Sequence, residues 1–390
     1  MSRAVTTDHI FFNESIEAFR PNYIVEEAEL AHTYSYVLTP FEIKRTWGLP
    51  NCSIGPTQKV QNGLYDAYIS QIDNPAHRNT HHAHLFGVAI SSILTFIAGC
   101  PCKSTRNNHI AREGNPTQQD LKILSALHPI THSGPGRNAR EFSDKTLAIY
   151  ESELQELITL LHHVSYKNYI TAIQAIRLVH LSHINLQEDF GLAYLLVVSA
   201  IEAISQKAID RKAVIEETEQ ESIWREKAGS DPEFAALFKT YSNGRKFLKQ
   251  RYVKFILTYA PVNTWEEIVL NKNIERDHYY ADRDGPSSPF TSNSPHNYKH
   301  PNETYPSTLT EEGAIKLLGE SYNHRSSFVH EGEQPPHYAP ESGNLYFQSM
   351  VLEKGQDRRP TQILLPNYQL LASIAKHSIL NWLRPLASGK

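Results

Sequence analysis

From Ser143 onward, apolar residues recur every three to four positions in one long segment after another. This periodicity constrains the chain more than any other feature, because it demands helices packed on helices. Ser143 to His163 carries Leu147, Ile149, Leu154, Leu157, Leu160 and Leu161 at that spacing. Tyr166 to His183 carries Ile170, Ile173, Ile176, Leu178 and Leu181. Phe190 to Ile209 is apolar almost all round, the pattern of a helix at the centre of a bundle. Pro232 to Tyr259 reads as one helix rich in Lys and Arg. Thr308 to Glu331 reads as a helix opened by the capping-box spacing Thr308-Leu-Thr-Glu311 and stopped by Gly332. Asn367 to Leu383 is a last helix, with Pro366 before it and Pro385 after it.

The first third has a different texture. Tyr34–Leu38 and Gly63–Ile72 carry the Tyr, Val and Ile of strands, and Pro40, Gly48, Pro50, Gly55 and Pro56 punctuate them. Thr80 to Ala98 reads as a helix stopped by Gly99 and Pro101, and residues 103–120 as loop. A Gly- and Pro-containing stretch at 132–144 reads as a linker. The expected architecture is mainly α. A smaller mixed α/β domain, a candidate sensing or binding unit, occupies residues 1–135, and a helical domain occupies 140–390. The charged stretch 212–232 reads as a solvated insertion or exposed helix, and the polar stretches 282–308 and 333–360 as long loops. Within the last, Asn344–Met350 (NLYFQSM) matches a protease recognition sequence except that Gly343 stands where Glu would, and no function rests on it.

Charge and cysteine usage bound the function. With 38 basic and 42 acidic residues, net −4, the chain is not one that coats nucleic acid by charge alone, although a local basic patch remains open. Three cysteines exclude a disulfide scaffold and fit a reducing compartment. The N-terminal segment shows no apolar signal core and no run of 18 or more apolar residues occurs, so a cytoplasmic protein with no membrane span is expected.

The helix at 308–331 carries the chemistry. With Tyr322 set at about 0° and about 100° per residue, Leu317, Phe328, Ala314, Leu318, Val329 and Ile315 fall on one face between about 220° and about 20°. Arg325 lies inside that face at about 300°, where an arginine must snorkel out, meet a buried carboxylate or face a polar cleft. His330 falls at about 80°, beside Ser326 at about 40° and Asn323 at about 100°, in the last turn, where the helix dipole favours a cation. Glu202 stands among Leu192, Leu195, Leu196, Val198, Ile201 and Ile204 in the most apolar helix, where a carboxylate calls for a partner, and the hypothesis is that it holds Arg325 in its rotamer.

The segment Tyr322-Asn-His-Arg-Ser-Ser-Phe-Val-His-Glu-Gly332 resembles the Arg-x4-6-His signature of HEPN ribonucleases, with four intervening residues, and its RSxxxH form is most similar to the ApeA-like HEPN branch. The resemblance covers about residues 140–390 and includes the apolar helix with Ser199-Ala-Ile-Glu-Ala203 and the final helix. It implies a helical bundle that forms a homodimer, with Arg325 and His330 of both copies lining one cleft where RNA is cut without metal or other cofactor. His330 would act as general acid or base and Arg325 would stabilise phosphoryl charge, with Tyr322, Asn323 or Ser326 orienting the substrate. It also implies a bacterial defence or toxin-like role, in which a trigger ligand or protein acts on the N-terminal domain. The alternative is a non-catalytic HEPN-type binding or scaffolding module in which Arg325 and His330 shape a dimer interface.

Other candidates are weaker. Arg245, Lys246, Lys249, Arg251 and Lys254 interleave with aromatics and read equally well as RNA-phosphate contacts or as a solvated face. His77, His81, His82 and His84 cluster without a carboxylate or cysteine at ligand spacing, and Cys100-Pro-Cys102 lacks the two-residue spacing of zinc or redox motifs.

Overall fold

The computed structural model describes residues 8–23, 34–62, 65–74, 85–105, 116–130, 142–215, 218–269, 304–331, 346–353 and 360–389. The fold is mainly α, with a small sheet in the N-terminal region. The histidines at 77–84, the Gly-Pro-Gly segment of the expected linker and most of the 282–308 stretch lie outside the described residues.

After helix α1 (Asp8–Ser15), strands β1 (Tyr34–Thr39), β2 (Trp47–Leu49), β3 (Cys52–Ile54), β4 (Gln58–Asn62) and β5 (Tyr65–Asp73) build an antiparallel sheet. The order is β2-β3-β5-β1-β6, with β4 also on β5 and β6 at Lys103–Ser104. The expected strand at 63–72 is thus one arm of a β4–β5 pair. Side chains alternate between the two faces of the sheet. Val37, Ile54 and Ile72 join the main core under α2 (Phe86–Ala98), whereas Tyr36, Leu38, Val60 and Ile69 pack under α3 (Gln118–Leu127) through Leu121 and Leu124. Helix α3 starts inside the stretch expected to be loop, because Thr117 and Asp120 form a reciprocal capping box.

Every residue of α2 is buried, and Gly99 closes it in the left-handed conformation (φ 63°). Its second residue, Gly87, lies directly on β1: a Cβ there would sit 2.9 Å from the Tyr36 carbonyl oxygen and against Ser104 Oγ. Gly87→Ala is therefore expected to destabilise the protein by about 1–3 kcal/mol through overpacking against backbone. A urea-unfolding midpoint equal to that of the wild type would contradict this close approach.

The helical part contains α4 (Asp144–His163), α5 (Tyr166–Asn185), α6 (Phe190–Ala208), α7 (Glu219–Ser230), α8 (Pro232–Gly244), α9 (Leu248–Tyr259), α10 (Trp265–Ile268), α11 (Glu311–Glu331) and α12 (Tyr368–Ala387). Ser143, Ser165, Asp189, Thr218, Asp231 and Asn367 cap their helices with side-chain oxygens, so the starts of these elements are locally encoded. The main buried cluster runs without a break from Phe12 to Leu383, so the N-terminal and C-terminal parts meet along α2, α4 and α5. Helix α6 is long and apolar enough to cross a membrane by length and composition, but here it packs against α5, α9, α11 and α12 as the central core helix.

Four further expectations are corrected. Pro232–Tyr259 is two helices, broken at 245–247, where Phe247 takes a left-handed backbone (φ 50°). The break lets α8 pack on α7 while α9 sinks Tyr252, Val253, Phe255 and Ile256 into the core. Helix α11 begins at Glu311, with Thr310 Oγ1 accepting from Gly313 N–H at 3.1 Å, because the Thr308 hydroxyl already bonds the Tyr305 carbonyl in the preceding turn. The 333–360 stretch holds β7 (Phe347–Glu353), which pairs with β8 (Pro360–Pro366) beside α11; Phe347, in the protease-site-like segment, is buried. Pro385 lies within the last turn of α12, not after it.

Candidate functional site

Helix α11 lies against α6, α9 and β8. Ala314, Leu317, Leu318, Ser321 and Tyr322 are buried, but Ile315 and Val329 are 46% and 48% exposed. The buried face is therefore narrower than the helical wheel implies, because the packing elements leave these two flanks open.

Glu202 rises from the apolar surface of α6 and is 6% exposed. Its Oε2 lies 3.1 Å from Arg325 Nη2. Its Oε1 accepts from Tyr322 OH and from Gln206 Nε2, each at 3.3 Å. The Arg325 guanidinium carbon sits 5.9 Å from the Tyr322 ring centroid, within cation–π range. Burial pushes the Tyr322 phenol up to about 12, the Glu202 charge adds to the rise, and Arg325 opposes it. The phenol is thus a neutral donor at neutral pH, and it serves Glu202. Behind it, Tyr252 packs against Tyr322 with ring centroids 5.5 Å apart and shares a 3.1 Å hydrogen bond with Ser321 Oγ.

The Arg325 guanidinium is only partly used. Its side chain is 22% exposed, and its Nε, though itself buried, has no hydrogen-bond partner. A guanidinium has five donors, so one off-axis contact with a carboxylate leaves most of the fork free. Five residues along the helix, His330 is exposed in the last turn. The exposed side chain of Asn323 faces α9, where its Oδ1 accepts from Lys249 Nζ at 3.1 Å, while its Nδ2 donates to Glu320 Oε2 at 3.4 Å. Ser326 is half-buried between these two faces.

No family model matches this chain, and neither does any curated protein or solved structure. The site is therefore read from its own geometry. The structure brings Arg325, Glu202 and Tyr322 into contact and sets Asn323 and His330 on a second face of the same helix.

The five basic residues at 245–254 do not form one outward stripe. Arg245 pairs with Glu221 and stacks over Phe247 at 4.4 Å. Arg251 caps the end of α6, donating from Nε to the Ile209 carbonyl at 2.9 Å and from Nη2 to that of Gln206. Lys254 donates to the Ala213 carbonyl at 2.7 Å. Lys246 is exposed, and Lys249 lies across α11. Among the described residues no group of three or more His, Cys, Asp or Glu could hold a metal.

Sequence reasoning missed Gln206, Ser321 and Tyr252. Gln206 is four residues after Glu202 on the same helix face, a spacing that would have exposed it. Nothing in the sequence marks Tyr252 as a neighbour of Tyr322.

Proposed function

We propose that this protein is a metal-independent endoribonuclease of HEPN type, which cleaves RNA by attack of the ribose 2′-OH on the adjacent phosphorus. One observation carries the reading: Arg325 is held in place by Glu202 while keeping unused donors and partial exposure, on the helix that ends in an exposed His330. A structural arginine would have its fork filled. A phosphate-binding arginine needs it open.

In the proposed reaction a neutral imidazole takes the 2′-OH proton as the new O2′–P bond forms. The P–O5′ bond breaks, and a protonated imidazole gives its proton to the departing 5′ oxygen. The products are a 2′,3′-cyclic phosphate and a 5′-hydroxyl. Arg325 stabilises the negative charge that builds on the non-bridging oxygens. Arg325 and His330 are about 140° apart around α11 and about 7.5 Å apart along it. A homodimer with two facing α11 helices would supply both groups to one phosphate. The exposed Ile315 and Val329 on α11 suit such a helix-to-helix contact, and they are also what favours the scaffold reading. A defence or toxin-like role, with a trigger acting on the N-terminal sheet, belongs to this proposal too: a cytoplasmic ribonuclease left unregulated harms its own cell.

The test is incubation of purified protein with end-labelled RNA in excess EDTA, followed by analysis of the new ends. Cleavage leaving cyclic phosphate supports the reading. Intact RNA with folded, dimeric protein leaves the scaffold and a nuclease held off until its trigger arrives.

Glu202 is a positioning residue here. Glu202→Gln keeps the size and the hydrogen bond to Tyr322 but removes the charge that holds Arg325. It is expected to lower kcat on the order of tenfold with little change in KM or in the thermal midpoint, since the lost contact orients Arg325 rather than binding RNA. Wild-type kcat would remove Glu202 from the mechanism.

A further inference from the structure

Gly319 of α11 lies beneath the end of the Lys249 side chain, which reaches across from α9. A Cβ on Gly319 would meet Lys249 Cε at 2.8 Å and Nζ at 3.2 Å, so the lysine stem lies in the space that glycine leaves. The glycine is buried beneath it. The ammonium then reaches Asn323 Oδ1 at 3.1 Å, and Glu320 holds the other end of that amide. Gly319, Asn323, Ser326 and His330 fall at about 60°, 100°, 40° and 80° around the helix, which is one stripe.

The charge of Lys249 is uncommitted. Among the described residues it has no carboxylate partner, only a neutral amide. Of the neighbouring cations, Arg245 pairs with Glu221, while Arg251 and Lys254 donate to backbone carbonyls at and beyond the end of α6, away from the Asn323–His330 stripe. An ammonium set on a polar stripe by a neutral acceptor is ready to exchange that acceptor for an anion at little cost.

We infer that Lys249, seated over Gly319, binds an RNA phosphate next to the scissile one. The inference rests on the ribonuclease reading and adds the path of the strand along α11. Asn323 and His330 are seven residues apart, about 10 Å along the helix axis. That is too far for Lys249 and His330 to share one phosphate, so Lys249 holds a neighbouring phosphodiester and sets the register of the strand at His330.

The test is fluorescence anisotropy with a labelled single-stranded oligoribonucleotide. His330→Ala serves as the background so that RNA is bound and not cut, and affinity is measured from about 50 to about 300 mM salt. Adding Lys249→Gln is expected to weaken binding about fivefold and to flatten the slope of log K against log salt by about 0.7, the loss of one single-strand phosphate contact. Adding Gly319→Ala should also weaken binding, with an unchanged or higher thermal midpoint, because alanine favours the helix while its methyl displaces the ammonium. Lys254→Gln should leave the slope as it was. If RNA binds with the same slope in the Lys249→Gln and Gly319→Ala proteins, the phosphate subsite is wrong and the ribonuclease reading stands. If none of the proteins binds RNA in a salt-dependent way, both fall.

Discussion

His330→Ala is expected to lower RNA cleavage by about 10²–10⁴-fold, the usual contribution of a positioned acid or base. The exposed position of His330 makes the comparison clean, because no packed core surrounds its ring and the thermal midpoint should not move. Arg325 needs a more careful substitution. Arg325→Ala would remove the charged partner of the buried Glu202, so lost activity could reflect lost structure. Arg325→Lys keeps the positive charge near Glu202 but loses the planar fork, and it is expected to cost about 10²–10³-fold, as removal of a transition-state donor does. The double variant should be little worse than either single one, since residues that act as a unit are not additive. If His330→Ala cuts RNA at the wild-type rate, the mechanism proposed above is wrong.

The second large effect is on stability in acid. His180 is buried where α2 meets α5. Its Nε2–H donates to the Cys102 carbonyl at 2.9 Å. Its Nδ1 accepts from Arg177 Nη1 at 2.8 Å, with Ser92 Oγ 2.9 Å away and donating to the Val88 carbonyl, so the ring is held as the neutral Nε2–H tautomer. Burial, and then the Arg177 charge, lower it to about 3, against an opposing pull from the Cys102 carbonyl and smaller lowering by His183 and Lys103. His377 on α12 is lowered to about 4 by burial and by Lys376 and Arg384. Between about pH 6.5 and about pH 4 the unfolded chain protonates both rings and the folded one protonates neither. Stability should therefore fall as pH falls through that window, by about 1.4 kcal/mol per pH unit for each ring. Urea unfolding at several pH values measures the slope. His180→Gln and His377→Gln should each remove about one proton from it, whatever they do to stability at neutral pH. A slope unaffected by both substitutions would mean that the rings titrate normally in the folded protein.

Much of the fold was legible in the sequence because its information is local. The boundaries of α4, α5 and α6 follow from apolar spacing and from the capping residues Ser143, Ser165 and Asp189. The helix carrying Arg325 and His330 was legible for the same reason, and a lone carboxylate in the most apolar helix pointed to Glu202. Other features were hidden because they depend on partners far along the chain. The break at Phe247 comes from the different surfaces that α8 and α9 must cover. The β7–β8 pair was masked by polar residues around two short strands. Gly319 looks like an ordinary helix-weakening residue until Lys249 is placed over it.

The sequence by itself determined that the chain is mainly helical, that α6 is its centre, and that an arginine and a histidine stand five residues apart near the end of one helix. Side-chain periodicity and capping encode these directly. Only the tertiary structure decided that Glu202 meets Arg325 and leaves its fork partly open. It also decided that three of the five basic residues bond to groups of the chain itself and that Lys249 lies on the face of His330. Those facts depend on how α6, α9 and α11 cross, which is set by the packing of the whole core and not by any single segment.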